Sequence, residues 1–190
     1  MLKNLVSKTI LLGSQSPRRK ELLESLNLKF SIKKLSVNED FPEDLKAFEV
    51  ASYLAHKKAA KYEPKLHEIL ITADTVVIQN NQVLNKPLNK KEAQDMLSQL
   101  SDSFHHVVTG LCIKTYDQKI ECSEHTKVYF KPLSHEEIIY YTNNYNPYDK
   151  AGGYGIQDWI GKIAIHKIEG CFYNVMGLPL SKLYLNLINL

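Results

Sequence analysis

Hydroxyl and guanidinium groups are clustered near the start of the chain. Residues 14–19 read SQSPRR and follow a short apolar run that ends in glycine. A serine directly before a proline is typical of a helix N-terminus, where free backbone N–H groups and the helix dipole attract anions. Ser14, Arg18 and Arg19 would add a hydroxyl and two guanidinium groups there, a combination suited to a polyphosphate. The alternative is an ordinary solvated helix start with a serine cap.

A carboxylate, Asp74, interrupts the apolar segment at residues 69–78. Inside a strand made mostly of Ile, Leu and Val, a charged side chain is costly unless it is paired, binds a metal or lies at a sheet end. Asp74 is therefore a candidate for acid–base or metal chemistry. The alternative is a strand-end aspartate that caps a neighbouring turn. Thr75, beside it, is also simply a residue that strands favour.

Three lysines and two acidic residues are further candidates. Lys86 stands before a proline in an extended segment, and Lys150 opens a glycine-rich loop, KAGGYGIQ, whose backbone can approach a ligand closely. Lys58 has no such context, and each of these lysines is equally compatible with an ordinary place on the surface. Glu39 and Asp40 could supply oxygens to a metal ion or belong to a solvated loop.

The histidines and cysteines do not have the spacing of a zinc site. No two histidines stand at HxH or HxxxH spacing, and the adjacent His105 and His106 would point to opposite faces of a strand. Cys112, Cys122 and Cys171 are odd in number and form no CxxC pair. We therefore expect reduced, partly buried thiols.

The composition limits the classes of function. A length of 190 residues without a linker-like segment predicts a single domain over residues 1–190. No segment approaches the roughly 18–20 apolar residues that span a bilayer, and the apolar run near the N-terminus is too short for a secretory signal. We therefore expect a cytoplasmic protein with no membrane partner. The net charge of +3 is spread along the chain without an aromatic-interleaved basic stripe, so no nucleic-acid partner is expected.

A mixture of strands and helices must position these groups. Apolar runs or alternation predict strands at residues 9–12, 28–35, 68–79, 83–84, 105–115, 119–131 and 162–168. Apolar residues at helical spacing predict helices at residues 17–27, 44–62, 90–100 and 135–141 and after Pro179. Asn89 with Glu92 and Ser134 with Glu137 have the spacing of capping boxes. Elements mixed in this order predict an α/β or α+β fold with a mixed sheet.

Seven segments together are specific enough to identify a family. They are GSQSPRRKELL, ITADTVV, LNKP, EAQDMLSQLS, HHVVTG, DKAGGYGIQ and IEGCFYNVMGLPL, and they span nearly the whole chain in this order. The sequence closely resembles the Maf (septum-formation-inhibitor-like) nucleotide pyrophosphatases. The resemblance implies a mixed β-sheet with flanking helices, two lobes around a deep cleft, and a relation to the inosine triphosphatases. Related proteins are often homodimers.

The resemblance also implies an activity. Family members hydrolyse a nucleoside triphosphate to the monophosphate and pyrophosphate with a divalent metal cation, Mg²⁺ or Mn²⁺. Arg18, Thr75 and Gln157 match the three positions that mark the subgroup acting on dTTP and UTP. A sister subgroup, which prefers methylated guanine nucleotides, usually has Trp in place of the first Arg. The amide of Gln157 could read a pyrimidine edge as donor and acceptor together.

The resemblance assigns roles to the candidate residues. Asp74 matches the proton acceptor that activates water and would also contact the metal ion, and Glu39 matches an acidic metal-associated position. Positions resembling the family's phosphate and substrate contacts are occupied by Ser14, Arg18, Arg19, Lys58, Lys86 and Lys150. In-line attack on a phosphoryl group needs these parts: an oriented water, a metal and cations on the departing pyrophosphate.

The sequence departs from the family pattern at three positions. Asp102 stands where glycine is usual, Gly153 replaces the commoner alanine, and Asn38 precedes Glu39 where an acidic residue is frequent. The family's older name also leaves an alternative function: inhibition of septum formation through binding to a cell-division partner. A protein that only binds would not need Asp74 as a base, so the intact set of residues favours an enzyme.

Overall fold

The computed structural model describes residues 3–190. Its seven strands are β1 (Thr9–Leu12), β2 (Phe30–Ile32), β3 (Glu68–Gln79), β4 (Gln82–Leu84), β5 (Phe104–Lys114), β6 (Lys119–Phe130) and β7 (Ile165–Glu169). Its α-helices are α1 (Pro17–Glu24), α2 (Ala47–Ala59), α3 (Lys90–Leu100), α4 (His135–Asn144), α5 (Trp159–Ala164), α6 (Phe172–Met176) and α7 (Leu180–Ile188). Short 3₁₀ turns cover Lys3–Leu5 and Ala151–Gly153.

All seven strands form one mixed sheet. The order across it is β2-β1-β3-β5-β6-β7, and β4 pairs separately with β3. β1 runs parallel to both of its neighbours, and every other pairing is antiparallel. The predicted mixed sheet with flanking helices is therefore confirmed.

One edge of the central strand β3 is shared by two short strands and left open between them. β1 pairs with residues 68–71 and β4 with residues 77–79, while on the opposite edge β5 pairs continuously from Leu70 to Ile78. Within the described residues, the stretch 72–76 has no strand partner on the first edge. This gap contains Asp74 and Thr75.

Alternate residues of β3 face different layers of helices. Val76 and Ile78 pack against Val50 and Leu54 of α2 on one face. On the other face, Ile71 belongs to a cluster built with α1 and α7, whereas Val77 belongs to a second cluster built with α3, α4 and α5. The two helical lobes on that face are thus centred on the two halves of β3, on either side of the gap.

A glycine brings α2 unusually close to the sheet. Gly110 of β5 pairs directly with Asp74, and a Cβ atom added to it would lie 2.3 Å from the carbonyl oxygen of Ala51. Any larger residue would therefore push α2 away. Lys58 follows Ala51 by two helical turns on the same face of α2, so this contact also sets the height of Lys58 above the sheet.

Most predicted elements are confirmed, and the differences occur mainly at their ends. α1 ends at Glu24, earlier than predicted, and Asn27 takes a left-handed conformation with φ 54° in the turn that follows. The strand predicted at 28–35 is reduced to β2, because β1 offers it only three partners. The helix predicted at 44–62 is confirmed over its central part, as α2.

Two local predictions near the later helices were only partly correct. The Asn89 side chain accepts from Glu92 N–H, but the Glu92 carboxylate accepts from Leu88 N–H, so the reciprocal capping box is absent; the one at Ser134 and Glu137 is present. The predicted strand at 162–168 begins as the end of α5, because Ile160 and Ala164 pack one turn apart into the second cluster. Helix α6 was not predicted.

Candidate active site

A cleft opens at the gap in the sheet. Its inner part is a cavity of about 600 Å³, and an adjoining cavity of about 700 Å³ extends over the N-terminus of α1. The inner part is lined by nine of the ten residues to which the family resemblance assigns a role: Arg18, Arg19, Glu39, Lys58, Asp74, Thr75, Lys86, Lys150 and Gln157. The tenth, Ser14, lines the outer part. The structure thus brings all ten residues to one cleft.

Asp74 and Lys58 form an ion pair at the floor of the cleft. Lys58 Nζ donates to Asp74 Oδ1, and both side chains are nearly buried, with 12% and 10% exposed. The other carboxylate oxygen, Oδ2, accepts no hydrogen bond within residues 3–190. The position of Asp74 in the middle of β3 contradicts the strand-end alternative, and the burial of Lys58 contradicts the surface-lysine alternative.

A second carboxylate converges on the same ammonium group. Lys58 Nζ also donates to Glu39 Oε1 at 2.9 Å, and Lys86 Nζ donates to Glu39 Oε2 at 3.2 Å. Burial alone would raise the pKa of Glu39, but the hydrogen bonds and charges of the two lysines outweigh it and lower the pKa to about 2. Glu39 is therefore an anion at any pH at which the protein would work.

The two carboxylates fit one side of a divalent-cation site. Glu39 and Asp74 both contact the Lys58 ammonium, so their oxygens already surround one position for a positive charge. Within residues 3–190 no three His, Cys, Asp or Glu side chains are arranged to hold a metal ion on their own. A pair of carboxylates completed by substrate phosphates is, however, the usual arrangement for Mg²⁺.

Arg19 is held rigidly on the opposite face of β3. Its guanidinium donates to Gly177 O at 2.8 Å, to Thr75 Oγ1 at 3.0 Å and to Ser14 Oγ at 3.3 Å. The Thr75 hydroxyl is in turn 2.9 Å from that of Thr109 on β5. Burial lowers the pKa of Arg19 despite the attraction of Asp74. These bonds hold a fixed cation at the wall of the cleft.

The neighbouring Arg18 has a different environment. Its guanidinium donates to Asp149 Oδ2 at 2.7 Å and to the carbonyl oxygen of Asp149 at 3.2 Å. Asp149 Oδ1 accepts from Lys150 Nζ at 2.7 Å, and Lys150 also donates to Asn146 O. One carboxylate thus lies between two of the predicted substrate-binding cations.

The helix start beside these arginines is capped as predicted. Ser16 Oγ accepts from Arg19 N–H at 3.4 Å, and Ser14 Oγ accepts from Ser16 N–H at 3.2 Å. The serine cap is therefore present, and because this end of α1 also lines the outer cavity, the anion site there stays a prediction. Both hydroxyls are used to fix the loop between β1 and α1.

Several residues that shape the cleft were not predicted. Asp149 directly precedes Lys150, a predicted substrate-binding cation, and this adjacency was the one sign in the sequence that Asp149 could lie at the cleft. Thr109 and Gly177, which hold Thr75 and Arg19, carry no sign of this role in the sequence, because they reach the cleft only through the fold. Tyr154 lines the inner cavity, and its hydroxyl forms a 2.6 Å hydrogen bond with Nε2 of the fully buried His105.

The fold and the cleft agree with a family assignment. The family model described as Maf-like protein matches residues 9–190, and the chain belongs to the Maf family. Among curated proteins, the dTTP/UTP pyrophosphatase of Parabacteroides distasonis is 48% identical over 187 residues, covering 97% of each chain. The dTTP/UTP pyrophosphatase of Porphyromonas gingivalis strain ATCC 33277 is 51% identical, covering 97% of this chain and 95% of that protein.

One solved structure can also be compared with this chain. A solved HAM1 protein from Coxiella burnetii is similar over 65% of this chain and 73% of that chain, with 18% identity and a TM-score of 0.39, a level that carries no functional argument.

In the part of the chain that the structure describes, no helix combines the length and apolar character needed to cross a membrane. The three cysteines are free, as predicted.

Proposed function

We propose that this chain is a nucleoside triphosphate pyrophosphatase that hydrolyses dTTP and UTP to the monophosphate and pyrophosphate. Membership of the Maf family and the names of its near full-length relatives support this proposal. The observation that carries it is the place of Asp74, a nearly buried carboxylate. It lies on the central strand beside the gap between β1 and β4, among five cationic side chains. Such a site combines a base with the groups that bind polyphosphate.

Asp74 is the proton acceptor in this proposal. Lys58 holds Oδ1, so the unpaired Oδ2 is left to orient a water molecule in the cavity. The water oxygen forms a bond to the α-phosphorus, its proton passes to Asp74, and the bond from the α-phosphorus to the oxygen bridging to the β-phosphorus breaks. Pyrophosphate leaves with the electron pair of that bond.

Cations along the cleft stabilise the charge that develops on the phosphates. Arg19 is preorganised by three hydrogen bonds, so it can act without rearranging during the reaction. Lys86 and Lys150 are now paired with carboxylates, and a triphosphate would compete for them, whereas, within residues 3–190, Arg18 keeps three N–H donors free beside its two bonds to Asp149. Glu39 and Asp74 would hold the divalent cation, Mg²⁺ or Mn²⁺, which when bound neutralises phosphate charge and polarises a phosphoryl oxygen.

Selection of the pyrimidine is assigned to three residues at the cleft. Gln157 is exposed there, with an amide that can both donate to and accept from a base edge. Arg18 lies at the same opening, and Thr75 acts through Arg19, to which it is hydrogen-bonded. We further propose a cytoplasmic location and a homodimer. Nothing in the cleft favours the alternative of a protein that only binds a division partner.

The test is pyrophosphate release by the purified protein with Mg²⁺, across a panel of nucleoside triphosphates. Asp74→Asn should keep nucleotide binding and lower kcat by about 10²–10⁴-fold, the usual contribution of a general base. Asp95→Asn is the matched control, because Asp95 is exposed on α3 and does not line the cleft. Chelation of the metal with EDTA should abolish turnover.

Each outcome decides part of the proposal. Selective turnover of dTTP and UTP that is lost in Asp74→Asn but kept in Asp95→Asn supports enzyme, base and substrate class together. Full activity of Asp74→Asn would remove it from the mechanism. The absence of turnover with every nucleotide would overturn the enzyme assignment.

A further inference from the structure

The two adjacent arginines of α1 are held in very different ways. Arg19 has three partners on three separate segments: Gly177, Thr75 and Ser14. The side chain of Arg18 donates hydrogen bonds only to Asp149 within residues 3–190, through the carboxylate and the carbonyl oxygen of that one residue. The direction of the Arg18 guanidinium therefore depends on Asp149 alone.

Asp149 is placed to orient Arg18 rather than to stabilise the fold. The Arg18 and Asp149 side chains are 29% and 48% exposed, and ion pairs at such exposed positions contribute little to stability. The loop of Asp149 and the start of α1 are separated by 131 residues and meet at the cleft. The two-point contact, carboxylate and carbonyl, restricts the rotation of the guanidinium plane more than a single bond would.

The other oxygen of the same carboxylate holds Lys150. Because Oδ2 binds Arg18 and Oδ1 binds Lys150, Asp149 keeps two cations at a fixed separation on one wall of the cleft. Lys150 is also bonded to Asn146 O and lies 3.6 Å from Asp158, so it would keep its position without Asp149. Loss of Asp149 should therefore act mainly through Arg18.

We propose that Asp149 is a positioning residue for substrate selection, which aims Arg18 at the nucleotide. This inference rests on the proposed function, in which Arg18 distinguishes dTTP and UTP from other nucleotides. A guanidinium has five N–H donors. Asp149 takes two of the donors of Arg18, so three remain for the nucleotide, and their direction is set by the first two.

A double-mutant cycle tests this role. Asp149→Ala and Arg18→Ala should each lower the ratio of kcat/KM for dTTP to that for CTP by about ten-fold, corresponding to one charge-assisted hydrogen bond. The double variant should be no less selective than Arg18→Ala, because Asp149 acts through a group that is already missing. Asp149→Glu should recover part of the selectivity, since it restores the carboxylate.

Two controls separate positioning from a general structural role. Glu63→Ala removes the 83% exposed carboxylate that pairs with Lys114, and because neither residue lines the cleft, it should leave selectivity and Tm unchanged. The Tm of Asp149→Ala should also be close to that of the unmodified protein. Unchanged selectivity in Asp149→Ala, or losses that add in the double variant, would overturn the inference.

A binding measurement keeps this test independent of turnover. Calorimetric titration of dTTP and CTP into Asp74→Asn with Mg²⁺, with and without Asp149→Ala, should show the same loss of preference. If the unmodified protein hydrolyses no nucleotide, the proposed function fails. If it hydrolyses dTTP and the preference does not depend on Asp149, only the present inference fails.

Discussion

Replacing Gly110 by alanine should disturb both stability and turnover, because it separates α2 from the sheet at the catalytic strand. The added Cβ would lie 2.3 Å from Ala51 O, 2.4 Å from Ala51 C and 2.4 Å from Ser52 N, whereas ordinary contact begins at 3.4 Å. All three atoms belong to the backbone of α2, so no side-chain rotation can relieve the contact. The helix must move by about 1 Å, which is typical of overpacking that costs about 1–3 kcal/mol.

The expected loss can be measured in two ways. A cost of about 2 kcal/mol lowers the Tm of a chain of this size by about 4–8 °C, which differential scanning calorimetry resolves. The same movement carries Lys58 away from Asp74, and a misplacement of about 1 Å can lower kcat by up to about 100-fold. Both effects should appear together, because they have one cause.

Gly153→Ala is the matched control for this substitution. At that position the nearest atom to an added Cβ is Pro87 Cγ at 3.6 Å, so space is available. Its φ of 71° leaves only the left-handed backbone penalty of about 1–2 kcal/mol. The variant should therefore lose some stability and keep its kcat. An unchanged Tm and kcat in Gly110→Ala would refute the proposed link between the α2 contact and the site.

Two further predictions follow from buried titratable groups. Burial, with the nearby charge of His106, lowers the pKa of His105 to about 3 from its ordinary 6.5, so the stability it contributes is present above pH 6.5 and is lost as pH falls towards 3. Urea unfolding gives the free energy of unfolding at pH 7 and at pH 4.5. Its decrease between these pH values should be smaller for His105→Gln than for the unmodified protein, by about 2 kcal/mol. An equal decrease in both proteins would contradict this role of His105. Burial raises the pKa of the Cys112 thiol to about 11, so in native protein at pH 8 a thiol reagent should modify Cys122 and Cys171 but leave Cys112 until denaturant is added. Reaction of all three thiols at one rate would contradict that burial.

The parts of the fold that depend on local pattern could be predicted from the sequence. β3 has the predicted bounds because a run of mostly β-branched and apolar residues, interrupted by Asp74, fits a strand buried on both faces. The long β5–β6 hairpin also matches, since two strand-like runs are joined by a short polar turn. By contrast, the length of β2 is limited by its partner β1, and such a limit is not present in the sequence of β2 itself.

The candidate site could be predicted residue by residue but not as an arrangement. Asp74 stands out because a carboxylate in an apolar strand is costly. Lys58 does not stand out in the sequence. It follows Leu54 by four residues on an amphipathic helix and resembles any other helical lysine until the structure shows that it lies on the face of α2 that packs against the sheet. Its burial results from the approach of α2 allowed by Gly110, which is a tertiary effect. Asp149 was missed for the same reason, since its partner Arg18 is distant in sequence.

The gap between β1 and β4 explains how two neighbouring residues of β3, Asp74 and Thr75, can both line one cleft. Side chains at successive positions of a strand point to opposite faces, and accordingly Asp74 meets Lys58 of α2 while Thr75 meets Arg19 on the other side. In a sheet with a continuous edge these faces would be separated by the neighbouring strand. Here β1 and β4 leave residues 72–76 unpaired, so the cavity reaches both side chains. A nucleotide entering at this edge would meet the carboxylates on one side of the sheet and the fixed guanidinium on the other. In-line displacement requires this arrangement, because water attacks the phosphorus from one side and pyrophosphate leaves on the opposite side.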